Sequence, residues 1–183
     1  MYREIETDRL ILRILDKNSA EILLAFLKKN REDFTKYEAE KQEIYFTKIY
    51  QEYVLQNEYD AAMKKLYLRY YLFEKDNMEE QKIIGTVSFS QVKSFPYCSA
   101  VLGYKMDVDK KNRGYGTEAV IAACQAAFEY LGLHRLEAYV MEENSASIRL
   151  LEKCGFTQEG LCRKNLSVNG EWRDHLLYAK INE

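Results

Sequence analysis

Apolar positions along the chain recur with two periods, one typical of strands and one typical of helices. Short apolar and β-prone runs predict strands at 10–12, 67–73, 83–92, 99–106 and 136–141. A polar turn at 76–80 joins the second and third of them. Apolar residues at helical spacing predict helices at about 18–29, 117–131 and 145–155. The stretch 39–65 has a less regular pattern and predicts a helix that breaks near Asn57.

The end of the chain carries its strongest hairpin signal. Two strand-like runs, 158–168 and 171–181, flank Asn169-Gly170, a pair typical of two-residue hairpin turns. With these strands the pattern predicts a mixed α/β (α+β) fold of about seven strands and four helices. A chain of 183 residues, of which 47% are hydrophobic, can bury one core, so we expect a single domain over 1–183.

A glycine-containing turn joins a predicted strand to a predicted helix, with the sequence Asp107-Val-Asp-Lys-Lys-Asn-Arg-Gly-Tyr-Gly-Thr-Glu-Ala119. Such a turn gathers unpaired backbone N–H donors, and the helix dipole adds partial positive charge. Lys110, Lys111 and Arg113 add full charges. The turn therefore predicts a binding site for a phosphate or a pyrophosphate.

Two common phosphate motifs fit this turn less well. A nucleoside-triphosphatase loop needs a glycine followed by Lys-Ser or Lys-Thr, and the chain has none. Gly114 and Gly116 begin a dinucleotide fingerprint, with Ala119 in its looser form. That fingerprint normally opens a domain, whereas about a hundred residues precede this turn. On the two glycines alone, a plain turn with solvated Lys and Arg stays open.

A second strand–turn–helix unit follows at 135–155. Asn144 or Ser145 can cap its helix, and Gly155 can end the helix in the left-handed conformation. The apolar stripe of this helix consists of Ile148, Leu151 and Cys154. Two successive units of this kind place two helix starts near the same end of a sheet.

Motifs in a fixed order span nearly the whole chain: Thr7-Asp8-Arg9-Leu10, Gly103-Tyr104-Lys105-Met106-Asp107, Gly114-Tyr115-Gly116-Thr117-Glu118-Ala119, Asn144-x-x-Ser147, Glu152-Lys153-Cys154-Gly155-Phe156, Glu159-Gly160, Arg163, Asn169-Gly170 and Asp174. Together they resemble the GNAT superfamily of acyl-CoA-dependent N-acetyltransferases. Within it, they are most similar to the bacterial ribosomal-protein N-terminal acetyltransferases.

The resemblance implies a GNAT fold with a mixed, mostly antiparallel sheet, in which the strands near 99–106 and 135–141 diverge and expose backbone groups. It implies acetyl-CoA as the cosubstrate, with its pantetheine arm on the first of these strands and its pyrophosphate on the turn. Side chains at the two turn glycines would hold the phosphates away from the backbone. The implied cofactor-binding residues are Met106, Val108, Lys111, Asn112, Arg113, Gly114, Tyr115, Gly116, Thr117, Asn144 and Ser147.

The resemblance also places candidate catalytic residues at the thioester end. Many family members carry a proton-donating Tyr where this chain has Leu151. Ser147 would instead return a proton to the leaving thiolate, and Asn144 would bind the pantetheine or the substrate backbone. Tyr139 is a second candidate proton donor. Helix capping is the alternative role for Asn144 and Ser147, and packing is the alternative for Tyr139.

The sequence indicates the general base less clearly than the cofactor-binding residues. Some relatives place a carboxylate where residues 164–168 read Lys-Asn-Leu-Ser-Val, so Glu38, Glu40 and Glu159 remain as candidates. A free α-amine has a pKa near 7.7–8.0 and a lysine about 10.4, so an α-amine needs little more than a water path. The missing carboxylate therefore favours the α-amine of a protein N-terminus, such as that of a ribosomal protein, as the acceptor of the acetyl group. A small amine (a polyamine or an aminoglycoside) and a non-catalytic acyl-CoA-binding module stay open.

Composition excludes several other classes. A net charge of −2 argues against an obligate nucleic-acid binder. No apolar run reaches the ~18 residues of a membrane span, and the first residues lack the core of a signal peptide, so we expect a cytoplasmic protein. Four cysteines without a Cys-x-x-Cys pair predict free thiols, and His134 and His175 lack metal-ligand spacing, so we predict no metal. Monomer and homodimer both stay open.

Overall fold

A computed structural model describes residues 3–77 and 82–183, and within them the chain forms one eight-stranded sheet. The strands are β1 (Glu4–Glu6), β2 (Leu10–Arg13), β3 (Leu68–Glu74), β4 (Gly85–Lys93), β5 (Ser99–Met106), β6 (Arg135–Val140), β7 (Thr157–Val168) and β8 (Glu171–Ile181). Their order is β1-β2-β3-β4-β5-β6-β8-β7. All neighbours are antiparallel except the parallel pair β5–β6.

Helices cover both faces of the sheet. They are α1 (Ala20–Lys29), α2 (Arg31–Phe34), α3 (Lys48–Met63), α4 (Tyr115–Leu131) and α5 (Ser145–Lys153). Strand alternation explains how the apolar run of β2 serves both faces. Leu10 and Leu12 join the core beneath α4 and α5, whereas Ile11 joins the core beneath α1 and α3.

The mixed, mostly antiparallel sheet confirms the predicted fold class, with eight strands rather than about seven and five α-helices rather than about four in the described residues. The additional elements are β1 and α2, of three and four residues, too short to show a period in the sequence. The predicted turn at 76–80 lies partly outside the described residues.

The predicted helix over 39–65 is wrong at its start and in its break. Residues 39–42 are irregular and Glu43–Phe46 form a 3-10 turn. α3 begins only after Thr47, which has an extended backbone and caps the helix. The Thr47 hydroxyl accepts a hydrogen bond from the Tyr50 N–H at 3.4 Å. It then continues through Asn57 without a break.

Divergence of β5 from β6 creates the opening that positions the site. The two strands pair only from Ser99 to Val101, whereas β4 pairs with β5 as far as Met106. The Asp107 N–H donates to the Ile84 carbonyl at 2.9 Å, on the β4 side. Because backbone groups alternate in direction along a strand, those of Tyr104 and Met106 face the gap and not β4. This is the splay that the resemblance implied.

Candidate active site

A cavity of about 530 Å³ lies where β5 and β6 separate. Its walls come from the segment 33–38, the end of β5, the turn before α4, the start of α5 and β8. All of the predicted site residues line it except Val108, Arg113 and Tyr115. The fold therefore brings together residues that are far apart in the sequence.

The turn before α4 presents a run of free amides. Asn112 and Gly114 have φ angles of 59° and 82°, which fold the chain back before α4 starts at Tyr115. The first helical bond is from the Glu118 N–H to the Gly114 carbonyl, at 3.1 Å. Within the described ranges, no amide from Lys111 to Thr117 has a hydrogen-bond acceptor. Seven donors without acceptors beside a cavity can bind an anionic group.

The structure gives each of the two glycines a reason in addition to the predicted access for a phosphate. Gly114 has a left-handed backbone that a side chain would strain, and an added Cβ would lie 3.2 Å from Arg9 Nη2. A Cβ on Gly116 would lie 2.9 Å from Leu150 Cδ1, inside the contact between α4 and α5. Both glycines also line the cavity.

Buried polar contacts hold the turn against α1. Asp107, 4% exposed, accepts hydrogen bonds from Lys29 Nζ at 2.8 Å, Asn30 Nδ2 at 3.2 Å and the Asp109 N–H at 2.9 Å. Asn30 Oδ1 accepts the Val108 N–H at 2.8 Å. Burial raises the pKa of Asp107, but the bonds from Lys29, Asn30 and Asp109 outweigh it and hold that pKa below its ordinary value.

The Thr7-x-Arg9 motif fixes the first turn of α4. Glu118 accepts from Thr7 Oγ1 at 2.6 Å, from the Arg9 N–H at 2.9 Å and from Arg9 Nε at 2.7 Å. Arg9 Nη1 also donates to the Arg113 carbonyl at 3.0 Å. Sequence reasoning used this motif as a strand signature and missed its role as the support of residues 111–117, the predicted anion-binding turn.

Carboxylates already neutralise two of the three cations in the turn. Lys110 pairs with Glu74 at 2.7 Å, and Lys111 pairs with Asp33. Arg113 has no ion-pair partner in the described part of the chain. The backbone amides are therefore the main donors of the turn, and Arg113, whose charge also acts on Glu74, is the cation without a direct ion pair there in the described residues.

Met106 and Val108 differ in what they offer a pantetheine arm. The backbone groups of Met106 face the gap between β5 and β6, and Met106 lines the cavity. The Val108 N–H is engaged by Asn30, so only the carbonyl of Val108 remains as a partner. Its side chain does not line the cavity.

Asn144 and Ser147 lie in the first turn of α5. Asn144 Oδ1 accepts the Ser147 N–H at 3.2 Å, which is the predicted capping bond. Ser147 Oγ lies 2.5 Å from Tyr104 Oη, a contact that the sequence did not suggest.

Tyr139 also lines the cavity, and its hydroxyl donates to Glu137 at 3.2 Å. Burial, with Glu137 nearby, raises the pKa of Tyr139.

Among the predicted base candidates, only Glu38 lines the cavity. Lys105 Nζ binds both of its carboxylate oxygens, at 2.6 and 2.7 Å. Burial, together with the nearby charges of Arg69 and Lys41, holds the pKa of Lys105 below its ordinary value, although Glu38 raises it. Glu159 pairs with Arg135 away from the cavity, and Glu40 is exposed.

His175 is a pocket residue that the sequence considered only as a metal ligand. It is 3% exposed and lines the cavity. Its Nδ1 lies 3.1 Å from the Arg173 carbonyl, and a carbonyl only accepts. In a neutral imidazole, this contact places the ring hydrogen on Nδ1 and leaves Nε2 without one.

The cysteines and histidines form no cluster with metal-site composition in the described residues. All four cysteines are free, and burial raises the pKa of Cys124 to about 12 and of Cys154 to about 11. Among the described helices, none has the length and apolarity to span a membrane.

Comparison with known proteins gives close relatives over most of the chain. A family model described as an acetyltransferase (GNAT) domain matches residues 9–157. The probable N-acetyltransferase YjcK of Bacillus subtilis (strain 168) is 36% identical over 171 residues, covering 93% of this chain and 93% of that protein. The ribosomal protein uS5-alanine N-acetyltransferase of Escherichia coli (strain K12) is 30% identical over 177 residues, covering 96% and 89%.

Solved structures give the same assignment. The ribosomal-protein-S5-alanine acetyltransferase from Vibrio fischeri has a TM-score of 0.92 at 28% identity, covering 98% of this chain and 97% of that one. RimJ from Mycobacterium smegmatis, solved in complex with CoA-disulfide, shares the fold with a TM-score of 0.86 at 23% identity, covering 94% and 81%. The family match and these relatives show that the chain belongs to the GNAT family of N-acetyltransferases.

Proposed function

We propose that this N-acetyltransferase transfers the acetyl group of acetyl-CoA to the α-amine of a protein N-terminus, with ribosomal proteins as the substrate class. One observation carries the proposal. Five of the seven residues with free amides in 111–117, all except Arg113 and Tyr115, line the same cavity as the free backbone edge of β5, and Ser147 lies in its wall. Two such features suit a ligand with a diphosphate at one end and an amide-rich arm at the other.

The turn and β5 fit coenzyme A in this arrangement. The amides of 111–117 would bind the diphosphate, and the β5 edge at Met106 would pair with the pantetheine amides as an added strand does. A hydrogen bond to a charged acceptor contributes about 1.5–3 kcal/mol, so three or four support micromolar binding after the cost of association. The fold neighbour RimJ, solved with CoA-disulfide, supports this choice of ligand.

Ser147 and His175 fit the proton transfers of the reaction. The acceptor nitrogen must be neutral to attack the thioester, and an imidazole with a free nitrogen is a common general base. His175 is therefore the side chain that we assign to remove the amine proton, directly or through water. Ser147 would protonate the departing sulfur, Asn144 would hold the first turn of α5 in place, and Tyr139 is the second candidate donor.

The charges of the cavity favour an α-amine over a polyamine. Its acidic lining residues, Asp33 and Glu38, are each paired with a lysine, so neither is free to bind a second ammonium group. An α-amine needs no such carboxylate, because a substantial part of it is neutral near pH 7. The ribosomal substrates named for the Escherichia coli and Vibrio fischeri relatives support the same class.

Release of free thiol from acetyl-CoA tests the proposal. The acceptors are peptides that begin with alanine or serine, the same peptides with a blocked N-terminus, spermidine and an aminoglycoside. We expect turnover with free peptides only, and mass spectrometry should place the acetyl group on the α-nitrogen. Turnover with the small amines alone contradicts the proposed acceptor. Tight acetyl-CoA binding without any turnover contradicts catalysis and supports a binding module.

A further inference from the structure

Tyr104 and Ser147 form a hydroxyl pair in the wall of the cavity. Tyr104 Oη lies 2.5 Å from Ser147 Oγ and 3.2 Å from the Ser147 carbonyl. The ring of Tyr104 packs against the core beneath α4 and α5, so its position is fixed by β5. In the described part of the chain, the Ser147 hydroxyl has no other side-chain or backbone partner.

The pair has two possible hydrogen arrangements, because each hydroxyl carries one hydrogen. In the first, Ser147 donates to Tyr104 Oη and Tyr104 donates to the Ser147 carbonyl, so both hydrogens are used internally. In the second, Tyr104 donates to Ser147 Oγ, and the Ser147 hydrogen is free for a ligand. Only the second arrangement gives Ser147 a proton that it can deliver to a group in the cavity.

We propose that Tyr104 is the positioning residue for proton transfer in this active site: it donates to Ser147 Oγ and so directs the Ser147 hydrogen at the sulfur of coenzyme A. This inference rests on the proposed function. As the carbon–sulfur bond breaks, its electron pair stays on sulfur, and the Ser147 proton forms the thiol. The acceptor nitrogen releases its proton to His175 when the amide forms, and that proton returns through water to the Ser147 oxygen, so one proton leaves nitrogen, one reaches sulfur, and both side chains end as they began.

Tyr104 itself keeps its proton throughout. Burial raises the pKa of Tyr104 well above its ordinary value, and the bond to Ser147 lowers it by less. Tyr104 therefore acts as a donor at every pH at which the enzyme works, and it acts only through Ser147.

A double-mutant cycle with Tyr104→Phe and Ser147→Ala tests the proposal. The matched control is Tyr178→Phe, because Tyr178 is a buried tyrosine whose hydroxyl contacts Glu152 of α5 away from the cavity. We expect Tyr104→Phe to lower kcat roughly 10- to 100-fold, with KM for acetyl-CoA within about twofold. The double variant should lose no more than Ser147→Ala alone. Equal activity of Tyr104→Phe and Tyr178→Phe, or losses that multiply in the double variant, would overturn the proposal.

Titration of the bound CoA thiol gives a readout that needs no acceptor. The thiolate absorbs in the ultraviolet, and a directed Ser147 hydrogen stabilises it. We expect the pKa of the bound thiol to rise by about one unit in Tyr104→Phe and in Ser147→Ala, but not in Tyr178→Phe. An unchanged thiol pKa in Tyr104→Phe overturns the inference. Lack of turnover with peptides, together with the expected thiol shift, contradicts only the proposed acceptor.

Discussion

At the scale of single residues, Gly114 is the position where backbone geometry and the proposed cofactor binding meet most directly. Its φ of 82° is left-handed, and a Cβ there costs about 1–2 kcal/mol. We expect Gly114→Ala to destabilise the fold by that amount. Relief of the strain would also turn the amides of 111–117, and loss of one bond to a charged acceptor weakens CoA binding roughly tenfold to a hundredfold. Calorimetric titration with CoA measures the effect.

Gly132→Ala is the matched control for that substitution. Gly132 ends α4 with a φ of 65°, and an added Cβ would meet nothing within 4 Å. The backbone strain is of the same kind, but the site lies at the opposite end of α4. CoA affinity should therefore stay within about twofold while stability falls. Equal losses of CoA affinity in the two variants would show that backbone strain at either end of α4 weakens CoA binding, and would contradict a specific role of Gly114.

At the scale of elements, the contact between α1 and the anion-binding turn predicts how stability depends on acid. Because Asp107 has a lowered pKa in the folded state, its stabilising effect is complete above the unfolded value of about 3.9 and is lost as the pH falls through the folded value. We expect Asp107→Asn to lower the free energy of unfolding by about 1.5–3 kcal/mol at pH 7. The difference from wild type should shrink below about pH 4.

Asp109→Asn separates this buried contact from a surface ion pair. Asp109 also pairs with Lys29, at 2.7 Å, but its side chain is 67% exposed. Its loss should cost less than about 1 kcal/mol. Urea unfolding of both variants at pH 7 and at pH 4 makes the comparison. A cost for Asp109→Asn as large as that for Asp107→Asn would contradict the role of burial.

Local sequence patterns predicted much of this architecture, but they could not predict its long-range contacts. The strand Leu10–Arg13, the turn with Gly114 and the helix after Asn144 were predictable because each has its signal within a few residues. The bond from Thr7 to Glu118 spans 111 positions, and that from Lys105 to Glu38 spans 67. No local spacing encodes such pairs.

The contact of Tyr104 with Ser147 shows the same limit within the site itself. The two residues are 43 positions apart and lie on different elements. Strand alternation could have placed Tyr104 on the face of β5 opposite to Lys105, but not beside a particular residue of α5. The sequence therefore indicated Ser147 and left its partner out.

At the scale of the whole molecule, the proposed acceptor predicts a particular pH dependence of the reaction. The acceptor must be neutral, and an α-amine loses its proton near pH 7.7–8.0. With an N-terminal peptide, kcat/KM should rise up to roughly pH 8 and then level off. A rise that continues past roughly pH 9 would instead indicate an amine of lysine type. Initial rates across a pH series, at saturating acetyl-CoA, make this measurement.

The ion pair between Lys105 and Glu38 predicts how acceptor preference would change. Lys105 neutralises Glu38 in the cavity wall, so Lys105→Met would leave a carboxylate facing the acceptor. A cationic small amine gains an attractive partner there, and a partly buried opposite charge is worth more than about 1 kcal/mol. We expect the ratio of kcat/KM for spermidine to that for a peptide to rise about tenfold or more.

Lys110→Met is the control, because it frees a carboxylate that lies outside the cavity lining, beside the anion-binding turn. Lys110 pairs with Glu74, which lies beside the anion-binding turn and not among the acceptor-lining residues. An unpaired Glu74 would repel the phosphates, so KM for acetyl-CoA should rise while the ratio of the two acceptors stays constant. Equal changes of that ratio in both variants would mean that net charge, and not the position of Glu38, selects the acceptor. A change confined to Lys105→Met locates acceptor selection at the wall formed by 33–38 and β5, on the side of the sheet away from α4.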